Sequence, residues 1–132
     1  MKDIFVPVSP GEMLDKITIL RIKAARMSDA TKVANVKHEL ELLEKTWKDS
    51  GAAAVDLGPE EANLTRVNEA LWVIEDAIRD EELAGRFGEK FIELARAVYI
   101  TNDERAAIKK RINLLLGSSI VEEKSYKPYK PE

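Results

Sequence analysis

Between Pro59 and Gly85, the large apolar residues Leu64, Val67, Leu71, Ile74 and Ile78 recur at alternating spacings of three and four. That spacing lines one side of an α-helix; a strand alternates with a period of two. Val33, Val36, Leu40, Leu43 and Trp47 repeat the pattern between Ala30 and Lys48. Two long amphipathic helices therefore dominate the chain. Each repeat spans only about two heptads, too few to define a coiled coil by itself. The loop between them, residues 50–59, is punctuated by Gly51, Gly58 and Pro59. A loop this short predicts that the two helices are antiparallel neighbours. An aromatic content of 6% and only six glycines leave little from which to build an all-β sandwich or barrel.

The remaining elements follow from capping chemistry. In Ser9-Pro10-Gly11-Glu12, Ser9 can cap, Pro10 suits the first helical position and Glu12 completes a capping box. Helix 1 is predicted from Pro10 to Met27, with Met13, Ile17, Leu20, Ala24 and Met27 inward. Helix 4 is predicted over Glu89–Ile100, with Phe91, Leu94, Ala95 and Val98 inward. Thr101 and Glu104 form a second capping box, so helix 5 is expected over Asn102–Leu116, ended by Gly117. Its inner face should be Ile108, Ile112, Leu115 and Leu116. Ile4–Val8 reads as extended, and the proline-containing tail reads as extended or mobile. The expected fold is all-α: one domain over 1–132, an antiparallel bundle of about five helices, two of them long. It has an extended arm at 1–9 and an extended tail at 118–132.

Composition removes several function classes. Without cysteine there is no disulfide, zinc–thiolate site or cysteine nucleophile. The apolar run Ile4–Val6 is too short for a signal peptide, and no stretch approaches a membrane span, so a cytoplasmic protein with no membrane partner is expected. A net charge of −3 argues against nucleic acid. Charge is nonetheless uneven: residues 56–93 hold eleven acidic and four basic side chains, residues 102–132 five and seven. Those regions could attract each other within or between chains. There is no glycine-rich phosphate loop, H-E-x-x-H or nucleophile elbow. His38 is the only histidine and lies off the apolar stripe. The acidic pairs Glu41/Glu44 and Asp76/Asp80 also lie off their apolar faces, so no metal and no cofactor is expected.

The distinctive signal is polar residues where apolar ones belong. At ~100° per residue, Asn68, Glu75 and Arg79 fall within or beside the apolar arc of helix 3. Arg105 and Lys109 lie beside Ile112 and Leu116 on helix 5, and Arg21 lies between Leu14 and Ile17 on helix 1. Arg96 lies between Ile92 and Ile100, less inward. Buried charges need partners. Glu75 is therefore expected to meet one or more of Arg21, Arg105 and Lys109, and to pair with Arg79 four residues on. This set reads either as an ion-pair network fixing helix register or as a cationic pocket for an anionic small molecule. Asp15 and Lys16 are expected to face water. Tyr99, Asn102 and Asp103 are expected to serve a turn, and Trp47 and Trp72 to be core or interface residues.

Three segments carry a family resemblance: VPVSPGEMLDKITILRIK (6–23), NEALWVIEDAIRD (68–80), and FIELARAVYITNDERAAIKKRIN (91–113) with the following IVEEKSY (120–126). Together they resemble a bacterial family of about this length known as a domain of unknown function. The resemblance implies a bacterial, stand-alone domain and implies no activity. Glu75, Arg79, Arg96, Arg105 and Lys109 all lie inside the resembling segments. Their inclusion of Glu122 to Tyr126 implies that this part of the tail is docked.

Two functional expectations follow. The first is a non-enzymatic helical protein that self-associates, as a homodimer, or binds a protein partner. The second is a binder of, or enzyme acting on, a small anionic ligand. Its candidate residues are Arg21, Asn68, Glu75, Arg79, Arg96, Arg105 and Lys109.

Overall fold

The computed structural model describes residues 1–130. It contains four α-helices: α1 (Pro10–Arg26), α2 (Ala30–Asp49), α3 (Glu60–Leu83) and α4 (Glu89–Leu115). A single 3-10 turn, Ala52–Ala54, lies in the α2–α3 loop. Helix α1 starts where its cap chemistry predicts. Ser9 is extended and its Oγ accepts from the Glu12 N–H at 3.2 Å. The box is only half closed, because the Glu12 carboxylate turns away to Lys109. Asp29 caps α2 in the same way, accepting from the Lys32 N–H at 3.0 Å. Gly85 and Gly117 end α3 and α4 with φ of 67° and 62°. This left-handed conformation, open to glycine, lets the next N–H reach back to a carbonyl of the last turn. Arg86 bonds to the Glu81 carbonyl and Ser118 to that of Asn113, each at 2.9 Å.

Two expectations are corrected. The predicted helices 4 and 5 are one continuous helix, so there are four helices, not five. No glycine or proline lies between Glu89 and Leu116, and a Thr-x-x-Glu box cannot by itself stop a helix whose backbone hydrogen bonds are intact. The long helices α2 and α3 are also not partners: α2 packs on α1, while α3 packs on α4. Salt bridges fix the α3–α4 hairpin as antiparallel, with Glu81 opposite Lys90, Arg66 opposite Glu104, and Glu60 opposite Arg111.

Helix α1 lies on both helices of that hairpin, but only over its near half, the part away from the Gly85 turn. The core sits there: Leu14, Ile17, Leu20, Ile22, Leu64, Val67, Ile108 and Ile112, closed by Leu57 from the loop, with Trp47 and Leu116 packed against it. Leu115, expected inside, is exposed; Asn113 takes the buried position beside Ile112. Beyond α1 the hairpin has only two layers. Two helices cannot enclose a residue from all sides, and no residue in 69–80 or 82–107 is buried. Helix α2 buries nothing fully; its Val33–Trp47 stripe is half-covered.

The arm Ile4–Val8 lies outside any helix or strand and is exposed. The tail runs back along α4. Glu122 pairs with Lys109 at 3.4 Å, Glu123 with Lys110 at 3.3 Å, Lys124 with Asp103, and Tyr129 meets the edge of Tyr99. Contact is thus made through charged tips, while Tyr126 remains exposed. No helix among the described residues is long and apolar enough to cross a membrane.

Candidate functional site

Three helices converge on one carboxylate. Asp15 of α1 is 1% exposed and receives both arms of Arg105 from α4: Nε donates to Oδ1 at 2.9 Å and Nη2 donates to Oδ2. From α3, Asn68 Nδ2 donates to Asp15 Oδ1 at 2.9 Å and to Thr18 Oγ1 at 3.0 Å. Thr18 in turn donates to the Asp15 carbonyl at 2.8 Å. A forked guanidinium matches a carboxylate in shape as well as charge, so this pairing specifies orientation along with energy. The bond to Asp15 holds the Arg105 pKa above its ordinary value despite partial burial.

A second tie lies one turn away. Lys109, 14% exposed, donates to Glu12 and lies 4.0 Å from Asp15 Oδ2 and 3.4 Å from Glu122. The Lys109 bond holds Glu12 below the usual glutamate pKa. At the start of α1, the Gly11 N–H donates to Asn113 Oδ1 at 2.7 Å. A Cβ on Gly11 would stand 2.5 Å from the Lys109 carbonyl oxygen, so only glycine allows α1 to approach α4 this closely. The start of α1 is thus joined to α4 through the Gly11 amide, a buried carboxylate and a glutamate. No buried polar side-chain atom among the described residues is left without a partner.

The predicted residues separate into two groups. Asn68, Arg105 and Lys109 are brought together, with Asn68 buried and both cations half-buried. The others lie elsewhere. Glu75 bonds only to Arg79, and Arg79 is exposed. Arg21 is exposed and joins Glu44 of α2 at 3.1 Å to Glu61 of α3 at 3.0 Å. Arg96 is exposed and makes no ion pair among the described residues. The expected meeting of Glu75 with Arg21, Arg105 and Lys109 does not occur. Glu75 sits on the open part of α3, where solvation removes the need for a buried partner.

The acid that takes its place, Asp15, was expected to face water, as its neighbour Lys16 does. Its signal lay in spacing: Gly11, Asp15, Thr18 and Ile22 follow 4-3-4 and form a second buried stripe beside Leu14 and Ile17. A helix covered by two helices at once buries a wider arc than a single apolar stripe marks.

Beside this network opens a groove of about 370 Å³, lined by Ile19, Asn68, Leu71, Trp72, Glu75, Asp76, Asn102 and Arg105. Trp72, expected in a core or interface, is half-buried and forms part of its wall. Arg105 and Lys109 each face carboxylates.

No curated protein and no solved structure matches this chain. A family profile described as "Family of unknown function (DUF6165)" matches residues 4–130. The chain therefore belongs to the family of unknown function DUF6165.

Proposed function

We propose that this is a non-enzymatic helical protein that acts by self-association, with a second copy of the chain covering the far half of the α3–α4 hairpin. One observation carries the proposal: residues 69–83 of α3 and 89–107 of α4 are helical and amphipathic, yet Glu81 is the one buried residue among them. Ile92, Tyr99 and Ile100 lie at i, i+7 and i+8 on α4, and are 55%, 43% and 38% exposed. Val73 on α3 and Leu83 and Phe87 at the turn are exposed as well.

Surface area supports a partner and its size. The chain exposes 9424 Å², whereas a compact monomer of 14.9 kDa exposes about 7,000 Å². The exposed arm, the tail, helix α2 and the two-layer hairpin all contribute to the difference. An excess of that order suits a stable dimer, which removes about 800 Å² or more from each partner. A second copy is the economical occupant, since two such hairpins stacked face to face give the four-helix layer that one lacks. The same geometry gives an anionic ligand little to bind, because Arg105, Lys109, Arg79 and Arg21 each already face a carboxylate.

Light scattering on a size-exclusion column tests the reading. The expected mass is twice 14.9 kDa, falling to the single-chain mass in Ile92→Asp/Ile100→Asp with helical content kept. A wild-type chain that stays monomeric at high micromolar concentration would overturn it.

A further inference from the structure

The groove beside Asp15 has a polarity that neither the ion pairs nor self-association requires. A carboxylate can only accept hydrogen bonds, so the Asn68 amide must turn its NH2 toward Asp15. Its carbonyl oxygen is then directed the other way. Asn68 is 5% exposed and lines the groove, yet that oxygen takes no hydrogen bond among the described residues and is not sealed off. Arg105, the one cation lining the groove, has its charge neutralised by Asp15 and donates a further N–H to Asn102 at 3.4 Å. Both donors of the Asn68 amide are thus consumed on the inner side, and its carbonyl oxygen remains as an acceptor on the groove side.

The rest of the lining agrees. On α3, Asn68, Trp72 and Asp76 are spaced i, i+4 and i+8, with Leu71 and Glu75 alongside, so an indole, two carboxylates and an amide share one side of the helix. Asp76 has no ion-pair partner among the described residues, and Glu75 has only the exposed Arg79. Ile19 from α1 closes the groove with an apolar wall.

We propose that this groove binds a small organic amine. The cation lies against Trp72 between Glu75 and Asp76, and its aliphatic part lies on Ile19 and Leu71. Indole is the strongest aromatic partner for a cation, and two nearby carboxylates add charge that an uncharged ligand would not use. An anion would meet two carboxylates and the free Asn68 carbonyl oxygen, which favours a cation over an anion. This proposal shares residues 71–76 of α3 with the stretch that self-association would cover, but it rests on the groove side of that helix rather than on Val73, the exposed faces of α4 and the turn.

The indole N–H signals of Trp47 and Trp72 in a nitrogen-15 correlation spectrum provide the readout, assigned with Trp47→Phe. Putrescine, agmatine and choline are the probes, with succinate and sodium chloride at matched ionic strength as controls. The expected result is a saturable shift of the Trp72 signal with at least one amine, no shift of Trp47, and no shift with the controls. Asp76→Asn, a change at an exposed position, should weaken the response about three- to fivefold, the scale of losing one exposed charge contact. A Trp72 signal that stays still with every amine, that moves equally with succinate or salt, or whose response is unchanged in Asp76→Asn would overturn the proposal.

Discussion

The two halves of the α3–α4 hairpin are built from similar amphipathic sequence but have different fates. In the near half, α1 adds a third layer, and Leu64, Val67, Ile108 and Ile112 are buried. In the far half, Leu71, Ile74, Ile78, Phe91, Leu94 and Val98 repeat the pattern and reach only half-burial. The lesson is that periodicity states which side of a helix is apolar, while burial depends on whether a third element arrives to cover it. The near half is also where buried polar groups are fully paired. The far half keeps pairs such as Arg79–Glu75 at the surface, and its one buried charge among the described residues, Glu81, is held by the exposed Arg86 and Lys90.

That contrast predicts a graded set of stability effects. The largest belongs to Arg105→Ala, which strips the buried Asp15 of its forked partner, leaving the Asn68 amide and Lys109 at 4.0 Å, and should cost about 3–5 kcal/mol. Urea unfolding followed by circular dichroism measures it; a loss no greater than that of a surface arginine would mean that Asp15 is wet. Arg96→Ala, on the same helix but in solvent, is the matched control and should change stability by about 0.5 kcal/mol or less. Next come two leucines of identical chemistry. Leu64→Ala should cost about 2–5 kcal/mol, and Leu94→Ala about 1 kcal/mol in the monomeric Ile92→Asp/Ile100→Asp background. Equal costs in that background would erase the distinction between the halves. Gly11→Ala forces a Cβ against the Lys109 carbonyl and should cost about 1–3 kcal/mol. Retained stability there would show that α1 can shift without losing its tie to α4.

The smallest effect is on pH dependence. Lys109 lowers the Glu12 pKa in the folded chain below the 4.5 of an unperturbed glutamate. The unfolded state therefore binds more protons between the two values, and stability rises with pH across that window. Glu12's contribution is complete above about 4.5 and is lost as pH falls through the lower folded value. Glu81, held down by Arg86, behaves the same way in the far half. Glu12→Gln should flatten the acid limb of a stability–pH curve; an unchanged limb would remove the Lys109 tie from the account.

Much of this fold was legible in the sequence. Ser9-Pro10, Gly85 and Gly117 marked helix ends correctly, because caps act within one turn and need no tertiary partner. Helix pairing was not legible: the same 3-4-3-4 stripe on α2 and α3 fits either neighbour, and loop length was a poor guide to which one it met. The continuity of α4 through Thr101 was hidden by a local capping motif that the helix overrode. At the site, Asn68, Arg105 and Lys109 could be read from their inward angles. Asp15 was masked, because an acid next to a lysine on a helix has the pattern of a solvated face, and only its 4-3-4 spacing with Gly11, Thr18 and Ile22 marked it. Arg105, an inward cation, required an inward acid, and Glu75 was the wrong one.

Amide hydrogen exchange across α4 tests the central contrast most directly, since one helix spans both halves. Residues 105–113 should be protected to the same degree at every protein concentration. Residues 90–100 should be weakly protected in dilute solution and gain protection as concentration rises and a second copy covers them. Uniform, concentration-independent protection along the whole helix would contradict the account.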